Sequence, residues 1–180
     1  MKDFVILVDQ FDNERGTMEK LEAHLKNELH RAFSVFIFNS KGEMLIHQRA
    51  LEKYHSPGLW TNACCSHPAP GENLENAIKR RLREELNMSV SVEHLFKFHY
   101  QANFDNGLSE HEMDHVFIGF SDEAPIPNPE EVEDFNYVSA DYLEKDIKKN
   151  PNDYTEWFKI CYLKVIDQYQ RNYSSFKKVG

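Results

Sequence analysis

WTNACCSHPAPGENLENAIKRRLREELN, residues 60–87, is the stretch from which the fold is read. Its first half is extended and turns through Pro68, Pro70 and Gly71. Alternation along an extended chain places Cys65 and His67 on one face and Cys64 on the other. The second half predicts a helix of about four turns, opened by a Pro-Gly turn and acidic in its first turn. At about 100° per residue, Leu74, Ala77, Ile78 and Leu82 fall on one side of that helix. Arg81 and Glu85 project within roughly 20° of Leu74, in the middle of the apolar stripe. Amphipathic helices keep charge off that stripe, because an unpaired buried ion is costly. Two readings are open. The pair are i, i+4 neighbours and satisfy one another, or a site lies beneath the helix, with Glu85 on a metal ion and Arg81 on an anion.

Working outward, Phe4–Val8 predicts a strand, followed by a polar turn around Asp12–Gly16. Glu19–Leu29 fits a helix through Leu21, Leu25 and Leu29, or a loop ordered by what it binds. Ala32–Phe38 and Met44–Arg49 are strands joined by the Ser40-Lys41-Gly42 turn. After the central helix come Val90–Tyr100, a turn-rich loop at Asn103–Gly107, the alternating strand Glu110–Phe120, and a proline-rich connection at Ala124–Pro129. Phe135–Val138 is a short strand and Ser139 caps a short helix. Asn152 or Asp153 caps a final helix carrying Trp157, Cys161 and Val165. Strands, one central helix, strands and terminal helices make an α+β fold with a mixed β-sheet, not a regular βαβ winding.

The chain has 180 residues, 41% hydrophobic and 13% aromatic, which suits a single domain with a real core rather than disorder. Its net charge of −9 argues against a nucleic-acid or membrane-surface binder. No apolar run approaches the roughly 20 residues of a membrane span. The start, MKDFVILVD, is too short and too charged for a signal peptide. Three cysteines, two of them adjacent, make no disulfide framework, so the expected compartment is the cytoplasm.

Candidate chemistry is clustered in pairs. His24 and His30 lie six apart, Cys65 and His67 two apart, and Glu110 and Glu112 two apart. Two-residue spacing on a strand aims both carboxylates at one face, as a shared metal requires, although a solvated acidic face gives the same pattern. Each histidine taken singly reads equally as a hydrogen-bonded surface residue. Cys64 and Cys161 read as small core residues.

Ser66-x5-Glu72-x7-Arg80-Arg81-Leu82-x-Glu84-Glu85-x-Asn87-Met88 resembles a degenerate Nudix box, G-x5-E-x7-R-E-U-x-E-E-x-G-U with U a bulky aliphatic. More specifically, LHRAFSVFIFN (29–39), RALEK (49–53) and PGLWTNACCSHP (57–68) resemble the type 1 isopentenyl-diphosphate isomerases. The resemblance runs from Lys20 to about Trp157. It implies one Nudix-type domain over residues 1–180: an N-terminal strand and metal-binding segment (1–30), a Nudix core with a central Nudix helix (31–138) and a C-terminal helical part (139–180).

The same resemblance implies a site. His24, His30, His67, Glu110 and Glu112 match the family's metal ligands, a donor set suited to one zinc or manganese ion in a distorted octahedron. Glu85 matches the ligand of a magnesium ion bound with the substrate diphosphate. Lys20, Arg49, Lys53 and Arg81 match the residues that hold that diphosphate. Cys65 and Glu112 match the acid/base pair, Tyr100 hydrogen-bonds near Glu112, and Trp157 faces the isoprenoid carbons. The implied activity interconverts isopentenyl and dimethylallyl diphosphate through a carbocation-like intermediate, with a small isoprenoid diphosphate as the only partner, in a monomer or a homodimer. Arg81 stands where Nudix hydrolases carry a metal-binding glutamate, which favours holding a diphosphate intact. A Nudix-type diphosphate hydrolase and a noncatalytic metal-binding domain are the alternatives.

Overall fold

The computed structural model describes residues 3–53, 55–104 and 107–173. Asp105 and Asn106 of the expected loop, and residues 174–180 of the C-terminal part, lie outside the described residues. The elements are β1 (Phe4–Val8), β2 (Glu14–Glu19), α1 (Lys20–Lys26), β3 (His30–Phe38), β4 (Met44–Arg49), β5 (Trp60–Asn62), β6 (Cys64–Ser66), α2 (Leu74–Leu86), β7 (Val92–Asn103), β8 (Ser109–Phe120), β9 (Val132–Val138), α3 (Ala140–Lys149) and α4 (Glu156–Asn172).

β3 is the hub. It runs parallel to β8 from His30↔Glu112 to Phe38↔Phe120, and antiparallel to β6 through Ser34↔Cys65. β7 closes the far side of β8, while β4 carries β9 and β5. The parallel β3–β8 pairing among antiparallel strand pairs gives the mixed sheet expected of this α+β pattern.

Alternation along β3 sorts its side chains into two cores. Phe33, Val35 and Ile37 pack with Cys64 against Ala77, Ile78, Leu82 and Leu86 of α2. Phe36 and Phe38 pack on the other face against Trp157, Phe158, Cys161 and Val165 of α4. Phe38 and Tyr169 stack at 4.1 Å. Each such buried aromatic stabilises the fold by roughly 1.5–3 kcal/mol relative to its exposed state. The sheet is thus held between α2 and the α3/α4 pair.

Two expectations are corrected and one open reading is resolved. The polar turn lies earlier than Asp12–Gly16: Asp9 Oδ1 accepts the amides of Phe11 and Asn13, and β2 starts at Glu14. The ambiguous Glu19–Leu29 segment contains a helix, α1, whose Glu19 carboxylate accepts the Leu21 and Glu22 amides. Residues 151–153 form a 3-10 turn opened by Pro151, so neither Asn152 nor Asp153 caps α4. Thr155 occupies that position without a side-chain cap and is tied to β5 instead. At α2, Asn73 accepts the Asn76 amide. Asn87 ends the helix at φ 52°, the left-handed conformation that the box's glycine would otherwise supply.

Candidate metal centre and adjoining cleft

Strand register builds the site. Glu112 lies beside His30 across the parallel pair and beside Tyr100 across the antiparallel one. Helix α1 docks over this point, since Ser109 Oγ donates to the His24 carbonyl at 2.8 Å and His111 Nδ1 donates to the Asn27 carbonyl at 2.9 Å. The docking delivers His24, and the turn after β6 delivers His67. One donor atom each from His24, His30, His67 and Glu112 then lies within 4.8 Å of the others.

The protonation pattern suits a cation. His24 Nδ1 faces the Lys20 carbonyl at 2.9 Å and His30 Nδ1 the Glu28 carbonyl at 2.8 Å. A carbonyl accepts only from N–H, so both rings keep an unshared pair on Nε2, the arrangement that orients metal-bound imidazoles. His30 Nε2 and His67 Nδ1 are buried and have no hydrogen-bond partner. Burial pushes His24 down to about 3 and His67 to about 4, so both are neutral near neutral pH.

The two carboxylates are driven apart. Burial, reinforced by the Glu112 charge, raises Glu110 well above the carboxylate range. Burial also opposes ionisation of Glu112, but the His67 hydrogen bond and the neighbouring His30 ring outweigh this and hold it well below that range. His67 Nε2 is 2.9 Å from Glu112 Oε1. The Tyr100 hydroxyl donates to Glu112 Oε2 at 2.7 Å and lies 3.1 Å from Glu110 Oε2. Glu110 stands at the edge of the four-donor group, with its Oε1 3.4 Å from His55 Nε2.

Cys65 is reached through β3. The Ser34 hydroxyl donates to Asp114 Oδ2 at 2.8 Å and lies 3.5 Å from Cys65 Sγ. Burial, then the charges of Asp114 and Glu112, raise the thiol well above its ordinary value, so it keeps its proton. Asp114 itself is pushed up to about 8 by burial and by Glu112. On α4, Thr155 Oγ1 meets Thr61 Oγ1 at 3.0 Å and Trp157 Nε1 donates to Asn62 Oδ1 at 3.2 Å, which fixes the indole beside the site.

The basic residues do not all converge. Lys20, Lys53 and Arg81 line a cleft of about 630 Å3 that also meets His67. Arg49 does not line it. Its guanidinium holds the His55 and Ser56 carbonyls at 2.9–3.3 Å and lies 5.5 Å from the Trp157 ring. Arg81 and Glu85 pair directly, at 2.6 and 3.1 Å, so the i, i+4 reading holds in this structure. Arg81 also reaches Glu84 at 2.8 Å and Glu131 at 3.1 Å, and Lys53 pairs with Glu131 as well. Glu85 therefore sits on the α2 side, over Cys64, apart from the histidine cluster.

Sequence reasoning missed His55, Asp114, Ser34, Asn62 and Glu131. Asp114 was within reach, since it continues the two-residue spacing of Glu110 and Glu112. Ser34, His55 and Glu131 carry no local signal, because their partners lie on other elements.

A NUDIX domain model matches residues 28–158. The chain is 47% identical over 166 residues to an isopentenyl-diphosphate Delta-isomerase of Pectobacterium atrosepticum, covering 92% of this chain and 93% of that one. It is 44% identical over 179 residues to an isopentenyl-diphosphate Delta-isomerase of Aliivibrio fischeri, covering 95% and 99%. A crystal structure from Deinococcus radiodurans superposes with a TM-score of 0.75 at 22% identity, over 94% of this chain and 100% of that one. A MutT protein of Methanosarcina mazei superposes at 0.60 and 19% identity, over 80% and 96%. At such identities, these structural likenesses concern the fold alone.

Proposed function

The chain belongs to the isopentenyl-diphosphate Delta-isomerases of the Nudix superfamily, and from that premise we propose how its own side chains carry the reaction. It interconverts isopentenyl and dimethylallyl diphosphate by moving a double bond. That move adds a proton at the terminal alkene carbon and removes one from the neighbouring methylene. The tertiary cation between the two steps must be kept from water.

The observation that supports the assignment is the placement of Cys65 and Glu112 on the two strands, β6 and β8, that flank β3. Cys65 holds its proton on one side, while Glu112 is a carboxylate on the other, with Tyr100 donating to it. Two groups so poised exchange roles when the reaction reverses. Trp157, fixed through Asn62, supplies an aromatic face for the cation. Lys20, Lys53 and Arg81 hold the diphosphate in the cleft beside His67, and Arg49 would join them only by leaving the His55 and Ser56 carbonyls.

His24, His30, His67 and Glu112, with Glu110 beside them, would hold one transition ion. Neutral imidazoles and carboxylates suit zinc or manganese. Such an ion, when bound, supplies the positive charge that makes a neighbouring carboxyl a strong acid. Glu85 would take magnesium with the diphosphate once Arg81 turns from it to the substrate. No helix among the described residues is long and apolar enough to cross a membrane, and the three free cysteines fit a reducing cytoplasm.

One incubation with isopentenyl diphosphate tests the assignment. Dimethylallyl diphosphate is expected. Released phosphate would make the protein a hydrolase, and no turnover a binding domain. Run in heavy water, the product should carry deuterium in the methyl group derived from the terminal alkene carbon. A product without it would rule out protonation by a group that exchanges with solvent.

A further inference from the structure

Glu131 stands where two cations of the cleft meet. One oxygen, Oε2, takes both the Lys53 ammonium and the Arg81 guanidinium, the latter at 3.1 Å. The side chain is 23% exposed, on the wall of the cleft that Lys20, Lys53 and Arg81 line. Burial opposes its ionisation, but the Lys53 hydrogen bond and the charges of Arg81 and Lys53 outweigh this and hold it below the usual carboxylate range. An anion of the protein's own thus sits among the residues assigned to the diphosphate.

The backbone fixes that placement. The Asn128 amide donates to the Glu85 carbonyl at 2.8 Å, and the Glu131 and Val132 amides return to the Asn128 carbonyl at 2.9 and 2.8 Å. On the other side, the Ala50 amide donates to the Glu131 carbonyl at 3.0 Å, and the Lys53 amide to the Ala50 carbonyl at 3.2 Å. The turn before β9 is therefore tied both to the end of α2, which carries Arg81 and Glu85, and to the turn that carries Lys53. None of these bonds uses the Glu131 side chain, so its carboxylate can turn away while both elements stay tied.

Because Lys53 and Arg81 reach the same oxygen, Oε2 marks a point at which a single anionic oxygen meets both cations. A phosphoryl oxygen and a carboxylate oxygen cannot occupy it together. Isomerisation leaves the diphosphate unchanged, so the same cations grip substrate and product, and the chemistry does nothing to loosen the product. We propose that Glu131 is the resident counterion of the diphosphate subsite: the substrate's diphosphate displaces it from Lys53 and Arg81, and its return to them helps release the product. This rests on the reading of the cleft as the diphosphate site. A site that binds only after two ion pairs break has its affinity lowered by the fraction of protein in which they are broken.

The test is titration calorimetry of the full chain with inorganic pyrophosphate at a fixed excess of Mg2+. Glu131→Gln keeps the shape and removes the charge, so affinity should rise by about 3–10-fold, a range that two partly exposed ion pairs span. Pyrophosphate dissociation, followed by stopped flow, should slow by a similar factor, and KM for isopentenyl diphosphate should fall. Glu84→Gln is the control. Glu84 lines the same cleft, but its partners are Arg80 and Arg81. The control removes the same charge without the shared contact, so affinity should change by less than about twofold. Unchanged or weaker pyrophosphate binding in Glu131→Gln overturns the proposal and would make Glu131 a support for the two cations. Equal gains in the two variants overturn it as well, since net charge alone would then account for the effect. If the wild-type protein binds no pyrophosphate, the reading of the cleft fails and the proposal with it. Pyrophosphate binding without isomerase turnover would instead sink the proposed activity and leave the counterion standing.

Discussion

Cys64 and Cys65 are neighbours in the chain with opposite surroundings. Cys64 is fully buried under α2 among Ile78, Leu82 and Leu86, whereas Cys65 faces Ser34 and Asp114 on the catalytic side. Cys65→Ala should abolish turnover and leave diphosphate binding nearly intact, since in the proposed mechanism the thiol moves a proton and does not hold the substrate. Cys64→Ala should cost stability of about 1 kcal/mol and little activity. Equal loss of turnover in the two variants would remove Cys65 from the mechanism. Arg81 offers a second comparison. Arg81→Glu sets a fourth carboxylate beside Glu84, Glu85 and Glu131 and deprives buried Glu85 of its cation. Affinity for a diphosphate, measured by calorimetry, should fall by at least about 1.5–3 kcal/mol, the worth of a charge-assisted hydrogen bond. Urea unfolding should show a loss of about 3–5 kcal/mol, as for a buried pair broken on one side. Unchanged diphosphate affinity would leave Arg81 only its partnership with Glu85.

At the scale of elements, β4 carries a pH liability away from the site. His47 is 2% exposed, and its Nδ1 donates to the Ala63 carbonyl at 3.2 Å, tying β4 to the residue that links β5 and β6. Burial, then the Arg49 charge, lower it from 6.5 to about 3. Between those values the unfolded chain binds a proton that the folded one refuses. Stability from this group is therefore complete above about pH 6.5 and is lost as pH falls toward 3. His47→Asn keeps an N–H for the carbonyl and cannot take up the proton. Unfolding free energies at about pH 7 and about pH 5 should therefore differ less in the variant, by roughly 1.4 kcal/mol for each pH unit below about 6.5. Parallel pH dependence in both proteins would place the acid sensitivity elsewhere.

Across the whole molecule, the centre is assembled from α1, β3, β8 and the turn after β6; β3 and β8 are paired along their length, and α1 is the piece outside the sheet. Helix α1 has only seven residues, too few to be stable alone. It rests on β8 through Ser109 and His111. An ion bound to His24 and to the strand residues would link α1 to the sheet directly. Purified protein should retain one transition ion per chain, and His67→Ala should lose it by elemental analysis. Stripping the ion with a chelator should speed amide exchange in α1 far more than in β3, where local opening approaches global unfolding. Equal protection of α1 with and without metal would mean that His24 is held by the fold alone.

The sequence by itself determined the alternation and periodicity that make β3, β8 and α2, because each buries one face and its pattern of apolar residues says which. It also marked the misplaced Arg81 and Glu85, the paired Glu110 and Glu112, and Cys65 and His67 on one face. Those signals are local: spacing along one element decides where side chains point. Helix α1 was ambiguous because seven residues carry little periodicity, and the start of α4 was misplaced because Thr155 is fixed by Thr61 across the chain rather than by its own cap. Only the tertiary structure placed Ser34 between Cys65 and Asp114, set Glu131 between Lys53 and Arg81, turned Arg49 onto the His55 loop and brought His55 to Glu110. All of those contacts except that of Arg49 join residues far apart in the chain. Pairing register and packing, which no single segment encodes, decide which distant side chains share a site.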